Sequence, residues 1–155
     1  MTEDELFARR PMGMRMAMVV RQWRSIIDHA ITDTGLTQSS WTVLMQLHQL
    51  GDNVSVSELA EMQGIELPPL MRTLTLLEQQ GYLQRTVSPY DKRIRLLTLT
   101  DEGRAVLKTL NQVIEAFQTR VANGIPADDI AKFSDTLNQI ACNLRNIREE
   151  NNKTD

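Results

Sequence analysis

The chain is short of almost everything from which small enzymes and secreted frameworks are built. Its 155 residues include one cysteine, Cys142. No disulfide can therefore form within the chain, and a reducing, cytoplasmic setting is expected. The two histidines, His29 and His48, have no partner at metal-ligand spacing; both read as structural or solvated, and no metal is expected. There is no glycine-rich phosphate loop, and no cysteine–histidine or serine–histidine–acid set can be placed. Neither a cofactor nor an enzymatic activity is expected. No run of 18 apolar residues exists, so no membrane-spanning helix is expected. The opening Met1-Thr2-Glu3-Asp4-Glu5 is acidic and lacks the apolar stretch of a secretory signal. Positive charge is scarce overall, with a formal net charge of −3. That is a weak argument against a polyanionic partner.

The charge is uneven, however. Residues 66–95 carry five cations (Arg72, Arg85, Lys92, Arg93, Arg95) against three anions (Glu66, Glu78, Asp91), whereas both flanks are net acidic. A basic stripe thus crosses the middle of an acidic chain. With 41% hydrophobic and 5% aromatic residues, the composition suits one aliphatic-cored domain, or one domain with a dimerisation extension.

The periodicity predicts six helices and a two-stranded ribbon. Residues 1–9 read as a polar arm. Pro11 suits a first helical turn, and Met16, Val20, Trp23, Ile27 and Ile31 have helical spacing up to about Thr32. A second helix runs from Ser39 or Ser40 to Leu50, with Trp41, Leu44 and Leu47 on one face. Ser55-Val56-Ser57-Glu58 has capping-box spacing and starts a third, which Gly64 ends. The fourth carries Leu70, Leu74 and Leu77 and stops at Gly81; either Pro68 or Pro69 can open it. Then the period changes to two. Leu83–Val87 and Arg93–Thr100 read as strands around a turn at residues 88–92. Thr100-Asp101-Glu102 caps a fifth helix reaching about Asn123, with Val106, Leu110, Val113, Phe117 and Val121 on one side. A sixth, from Pro126 to about Arg148, precedes a polar, frayed tail at 151–155. The expected class is mainly α with a small β wing (α+β). Its parts are an arm and dimerisation helix (1–34), a winged helix-turn-helix domain (35–103) and C-terminal dimerisation helices (104–155).

Two helices joined at Gly64, followed by a ribbon with a charged tip, make a winged helix-turn-helix. A helix fits the DNA major groove, and a cationic ribbon tip fits a narrow minor groove. If Leu70, Leu74 and Leu77 face inward, then Pro68, Pro69, Met71, Arg72 and Thr75 are left for DNA. Arg85, Asp91, Lys92 and Arg93 complete the candidate DNA-binding set. The competing class is a winged-helix module that binds protein instead.

The segment Asp91–Gly103 matches the MarR-family wing pattern D-x-R-x(3)-L-x-L-T-x(2)-G at all six fixed residues. The stretch from Gly64 to Gly81 resembles the SlyA (salmolysin-like) subgroup, as do Arg21, Trp23-Arg24, Ile27-Asp28-His29, Leu36-Thr37-Gln38 and Trp41. The resemblance covers about residues 11–150. It implies a homodimeric regulator that binds double-stranded DNA at an A·T-rich pseudo-palindrome. Arg93 would enter the minor groove, Asp91 would orient the wing and Arg72 would contact DNA. Leu67 and Pro69 depart from the pattern, standing where polar residues are common. The resemblance also implies a small phenolic or aromatic carboxylate effector, for which Arg21, Arg24, Thr37 and Trp41 are candidate ligand residues. On its own, Trp41 reads as core rather than as a ligand box.

Ile130, Phe133, Leu137, Ile140, Leu144 and Ile147 are spaced 3, 4, 3, 4, 3, an a/d heptad stripe that reads as a dimerisation seam. The methionines at 12, 14, 16 and 18 read as a pliant interface surface rather than a soft-metal site. Cys142, within the sixth helix, reads as buried rather than as an oxidant sensor.

Overall fold

Hydroxyl and glycine punctuation sets the helix ends in a computed structural model that describes residues 1–153. Thr37 caps α3 (Gln38–Leu50) by accepting the Ser40 N–H. Ser55 and Glu58 form the expected capping box at the start of α4 (Val56–Gln63), whose far end is closed by Gly64 at φ +60°. That left-handed conformation is costly for residues with a Cβ, and it lets the chain turn at once into α5 (Leu67–Gln79). In α5, Leu67 is the first helical residue and both prolines follow it within the first turn.

Two capping signals act where the sequence reading placed none. Most of residues 1–9, read as a polar arm, are helical. Thr2 and Glu5 make a reciprocal capping box that starts a short helix, α1 (Glu3–Ala8). Before α3, the Asp28 carboxylate accepts the Gln38 N–H at 2.6 Å, a carboxylate at the positive end of a helix. It fastens α3 to α2 (Met12–Ala30).

The sheet has three strands, not two. β1 (Val54–Ser55) pairs antiparallel with β3 (Arg95–Leu99), which pairs antiparallel with β2 (Leu83–Val87). β1 is too short to show any alternation in sequence. β3 begins two residues later than its Arg/Ile/Leu/Thr composition suggested, because Asp91 to Ile94 close the turn. The fold is otherwise as expected, mainly helical with a small antiparallel wing.

The chain divides into two compact units, Met1–Glu115 and a second beginning at Ala116. That division falls inside α6 (Asp101–Val121). The core of the first unit gathers Ile27 from α2 and Ile31 just past its end, Leu44 and Leu47 from α3, Leu59 from α4 and Leu70, Leu74 and Leu77 from α5. Leu83 and Leu97 of the sheet and Leu110 of α6 complete it. The stripe expected on α2 splits along its length: Ile27 and Ile31 are buried, whereas Met16 and Val20 stay exposed. Of the side expected on α6, Leu110 is buried, Val106, Val113 and Phe117 are half-buried and Val121 is exposed, while Leu107 and Ile114 join Leu110 in the core. The second unit is dominated by α7 (Ala127–Asn152), which extends past the expected end at Arg148. Of the expected frayed tail, Asn151 and Asn152 are helical, while Thr154 and Asp155 lie outside the described residues.

One junction orients the wing. The Thr100 hydroxyl donates to the Gly81 carbonyl at 2.6 Å, its N–H donates to the Tyr82 carbonyl, and its oxygen accepts the Gly103 N–H. Gly103 is buried, and a Cβ there would collide with the Tyr82 carbonyl. This is a physical reason for a glycine after L-T-x-x. Gly103→Ala should therefore cost about 1–3 kcal/mol, as overpacking against backbone does, read as a lower urea midpoint at unchanged slope.

Candidate nucleic-acid interface

Helix α5 is held to the sheet by its buried leucines, which turn the opposite side outward. Pro68, Pro69, Met71, Arg72 and Thr75 are all exposed. Arg72 is the single cation within α5. The Thr73 hydroxyl turns back to the Pro69 carbonyl, and the Thr75 hydroxyl accepts from Arg85 Nη2 at 3.3 Å.

Arg85, placed by sequence among the DNA-contacting residues, is held elsewhere. It makes two hydrogen bonds to the Glu78 carboxylate, at 3.1 and 3.0 Å, with only 18% of its side chain exposed. The pair clips β2 to α5, so Arg85 sets the angle between helix and wing.

The wing tip is built by Asp91. Its carboxylate accepts the Arg93 backbone N–H at 2.9 Å and the Arg93 guanidinium at 3.2 and 3.1 Å. These bonds hold the Asp91 carboxyl below its ordinary value and raise Arg93 further. The turn is closed by this ion pair, and the Arg93 side chain is still 90% exposed. Lys92 is exposed as well, and its carbonyl accepts from Arg95. Tyr90, passed over by the sequence reading, stands at the tip 96% exposed. A tyrosine between Pro89 and Asp91 in a turn was the available signal.

The four candidate ligand residues are not gathered at one point. Arg21 is exposed on α2, the Thr37 hydroxyl caps α3, and Trp41 Nε1 donates to Asn111 Oδ1 at 2.8 Å. Arg24 alone lines a cavity of about 340 Å³, together with Gln38, Thr42, Gln46 and Gln63 and with Pro69 and Thr73 of α5. Three buried amide atoms of that lining, Gln38 Oε1, Gln46 Oε1 and Gln63 Nε2, have no hydrogen-bond partner. Spacing could not reveal this cavity, because its residues come from four segments. Among the described residues no cluster of His, Cys, Asp or Glu could hold a metal ion, and no helix is long and apolar enough to cross a membrane.

The heptad residues lie on α7, where Ile130, Phe133, Leu137, Leu144 and Ile147 are exposed by 39–64% and Ile140 is half-buried. Cys142 is half-buried with a free thiol.

A model of the MarR family matches residues 34–94. Among solved structures, the transcriptional regulator PA3341 is 30% identical, over 88% of this chain and 99% of that one, with a TM-score of 0.76. The transcriptional repressor CouR bound to a 23-mer DNA duplex is 26% identical, over 91% and 98%, with a TM-score of 0.79. CouR from Rhodococcus jostii bound to p-coumaroyl-CoA is 24% identical, over 87% and 94%, with a TM-score of 0.76.

The helix–wing clip has an acid signature. The Arg85 hydrogen bonds hold the Glu78 carboxyl below its ordinary value. Stability from the pair is therefore present above the ordinary glutamate range and lost as pH falls through the lowered folded value. Glu78→Gln should cost about 0.5–1 kcal/mol near neutrality, the scale of a partly exposed pair. The difference from wild type should shrink below about pH 4, in urea melts collected across the acid range. A difference independent of pH would show that the pair does not contribute.

Proposed function

The chain belongs to the MarR family of winged-helix transcriptional regulators, and from that premise we propose that it is a sequence-specific double-stranded DNA-binding regulator acting as a homodimer. Its site in this reading is an A·T-rich pseudo-palindromic operator. The observation that carries the proposal is the pairing, within one unit, of an outward helix bearing Arg72 with a wing tip bearing Lys92 and Arg93. Helix α5 enters the major groove, where base edges differ. The wing reaches the flanking minor groove, whose negative potential deepens where A·T sequence narrows it. CouR, solved on DNA, is the relative that supports this arrangement. The protein binds and does not catalyse, acting in the cytoplasm as repressor or activator. The resemblance of residues 64–81 supports a SlyA-like subgroup.

Two apolar surfaces support the dimer. On α2, Met12, Met16, Val19 and Val20 are exposed by 36–60%; on α7 the heptad stripe is exposed over five of its six residues. Single exposed hydrophobes are ordinary, but stripes at helical spacing signal a partner surface. A second copy supplies a matching face by symmetry and sets the two recognition helices about one DNA turn apart, roughly 34 Å.

An effector is part of the same reading. The glutamine-lined cavity, with Arg24 on its wall, suits a small aromatic acid, whose carboxylate pairs with the guanidinium while its other polar groups meet the unpartnered amides. Pro69 and Thr73 share that wall, so occupancy bears on α5. By linkage the acid lowers DNA affinity by the factor that DNA lowers its own.

Arg93→Ala should weaken specific binding by roughly 1–3 kcal/mol per half-site. Lys92→Ala should weaken it modestly and lower the salt slope, as a phosphate contact does. Wild-type affinity in Arg93→Ala, measured by titration of fluorescent operator, would remove the wing from the mechanism. Ending the chain after Gly124 should abolish both dimerisation and tight binding, since affinity depends on coupling two heads; sedimentation decides. A stable dimer of residues 1–124 would place the seam elsewhere.

A further inference from the structure

We propose that α5 selects its site mainly through thymine 5-methyl groups, contacted by Leu67, Pro69 and Met71, with Arg72 as its chief base-edge hydrogen-bonding side chain. The inference rests on the DNA-binding reading above and names what that surface recognises.

The argument is an inventory of what the exposed part of α5 offers a base. Leu67 is 50% and Met71 37% exposed, and both prolines are exposed beside them. None of these side chains can donate a hydrogen bond, and only the Met71 thioether can accept one, weakly. Of the hydroxyls, Thr73 donates to the Pro69 carbonyl, and Thr75, which accepts from Arg85, keeps its proton for a base. Glu78 is bound by Arg85. Gln79 is the last residue of α5, about 18 Å along the axis from Leu67, whereas recognition helices read bases from their N-terminal residues. Arg72 remains the chief donor.

The helix N-terminus is also a poor anion site. Such an end binds phosphate through free N–H groups and a positive dipole. Pro68 and Pro69 remove two of the first four N–H groups, and the cap position holds Glu66, which makes no capping bond. The leading turn is therefore apolar and carries a carboxylate at its cap. It is a surface for methyl groups rather than for phosphate.

Among the major-groove edges only thymine presents an apolar group. Opposite Leu67, Pro69 or Met71, an adenine or cytosine amino group would be dried without a partner, at the cost of an unmade hydrogen bond. The expected half-site has one guanine facing Arg72, flanked by thymines. This preference differs from that of the wing, which senses minor-groove width and carries no information about the methyl group.

Deoxyuridine tests it, because it removes the 5-methyl and leaves pairing and the minor-groove edge unchanged. Operators are first enriched from random duplexes by the full-length protein. Each thymine of the enriched site is then replaced singly by deoxyuridine and affinity is measured. Loss of one buried methyl should weaken binding about fourfold, and the symmetric pair about fifteenfold, from the hydrophobic value of one carbon. Leu67→Ala and Met71→Ala, both at exposed positions, should each abolish uracil sensitivity at one position and leave it at others. An enriched site whose affinity is indifferent to uracil at every thymine overturns methyl readout while leaving DNA binding intact. Failure to enrich any sequence overturns the DNA-binding reading and this inference with it.

Discussion

The contact between the first turn of α6 and the start of β2 fixes the geometry on which the rest depends. Thr100 holds Gly81 and Tyr82 by hydrogen bonds, and Gly103 lets the helix approach the Tyr82 carbonyl with nothing between them. Gly81 follows α5, and Tyr82 leads into β2. One threonine and one glycine therefore relate the recognition helix, the wing and the long helix to each other. Arg85 and Glu78 repeat the constraint from the other side of β2. A reading head that must match two grooves at once needs its two parts set at a fixed angle, and these two fastenings set it.

The electrostatics follow from the same placement. A chain of net charge −3 meets a polyanion only if its cations are gathered and its anions kept from the interface. Two of the three anions of the central stripe are engaged, Glu78 with Arg85 and Asp91 with Arg93 while building the turn that presents it, and Glu66 stays exposed at the α5 cap. Arg72, Lys92, Arg93 and Arg95 are left at the surface, Arg95 with one donor turned to the Lys92 carbonyl. Because so few cations face outward, phosphate attraction is modest. Discrimination then depends more on apolar and shape-dependent contacts.

Much of this was legible in sequence because strong local signals coincide with tertiary needs. The Ser55–Glu58 box, the turn at Gly64, the leucines at 70, 74 and 77 and the whole of β2 fall where spacing put them. The thirteen-residue wing pattern was readable because nearly every fixed residue has a local task there: Asp91 closes the turn, Leu97 and Leu99 enter the core, Thr100 caps a helix and Gly103 admits a carbonyl. What spacing missed depends on partners distant in sequence. Strand β1 exists only through its pairing with β3. Arg85 looked like a free cation because Glu78 lies seven residues away across a turn. Trp41 is held by Asn111, seventy residues on. The Gln38–Gln46–Gln63 cavity has no linear trace. Helix α1 is a different kind of miss, since its Thr2–Glu5 box is entirely local and lay in plain view.

The central claim is that helix and wing act as one head on two grooves. Hydroxyl-radical footprinting tests it most directly, because cleavage reports access to the minor groove base by base. The wild-type protein should leave two protected outer patches, one at each flank of the palindrome. Arg93→Ala, at concentrations that still saturate the site, should lose the flanking protection and keep the inner pattern. Flanking protection unchanged in Arg93→Ala would contradict the account, because the wing would then not be in the minor groove.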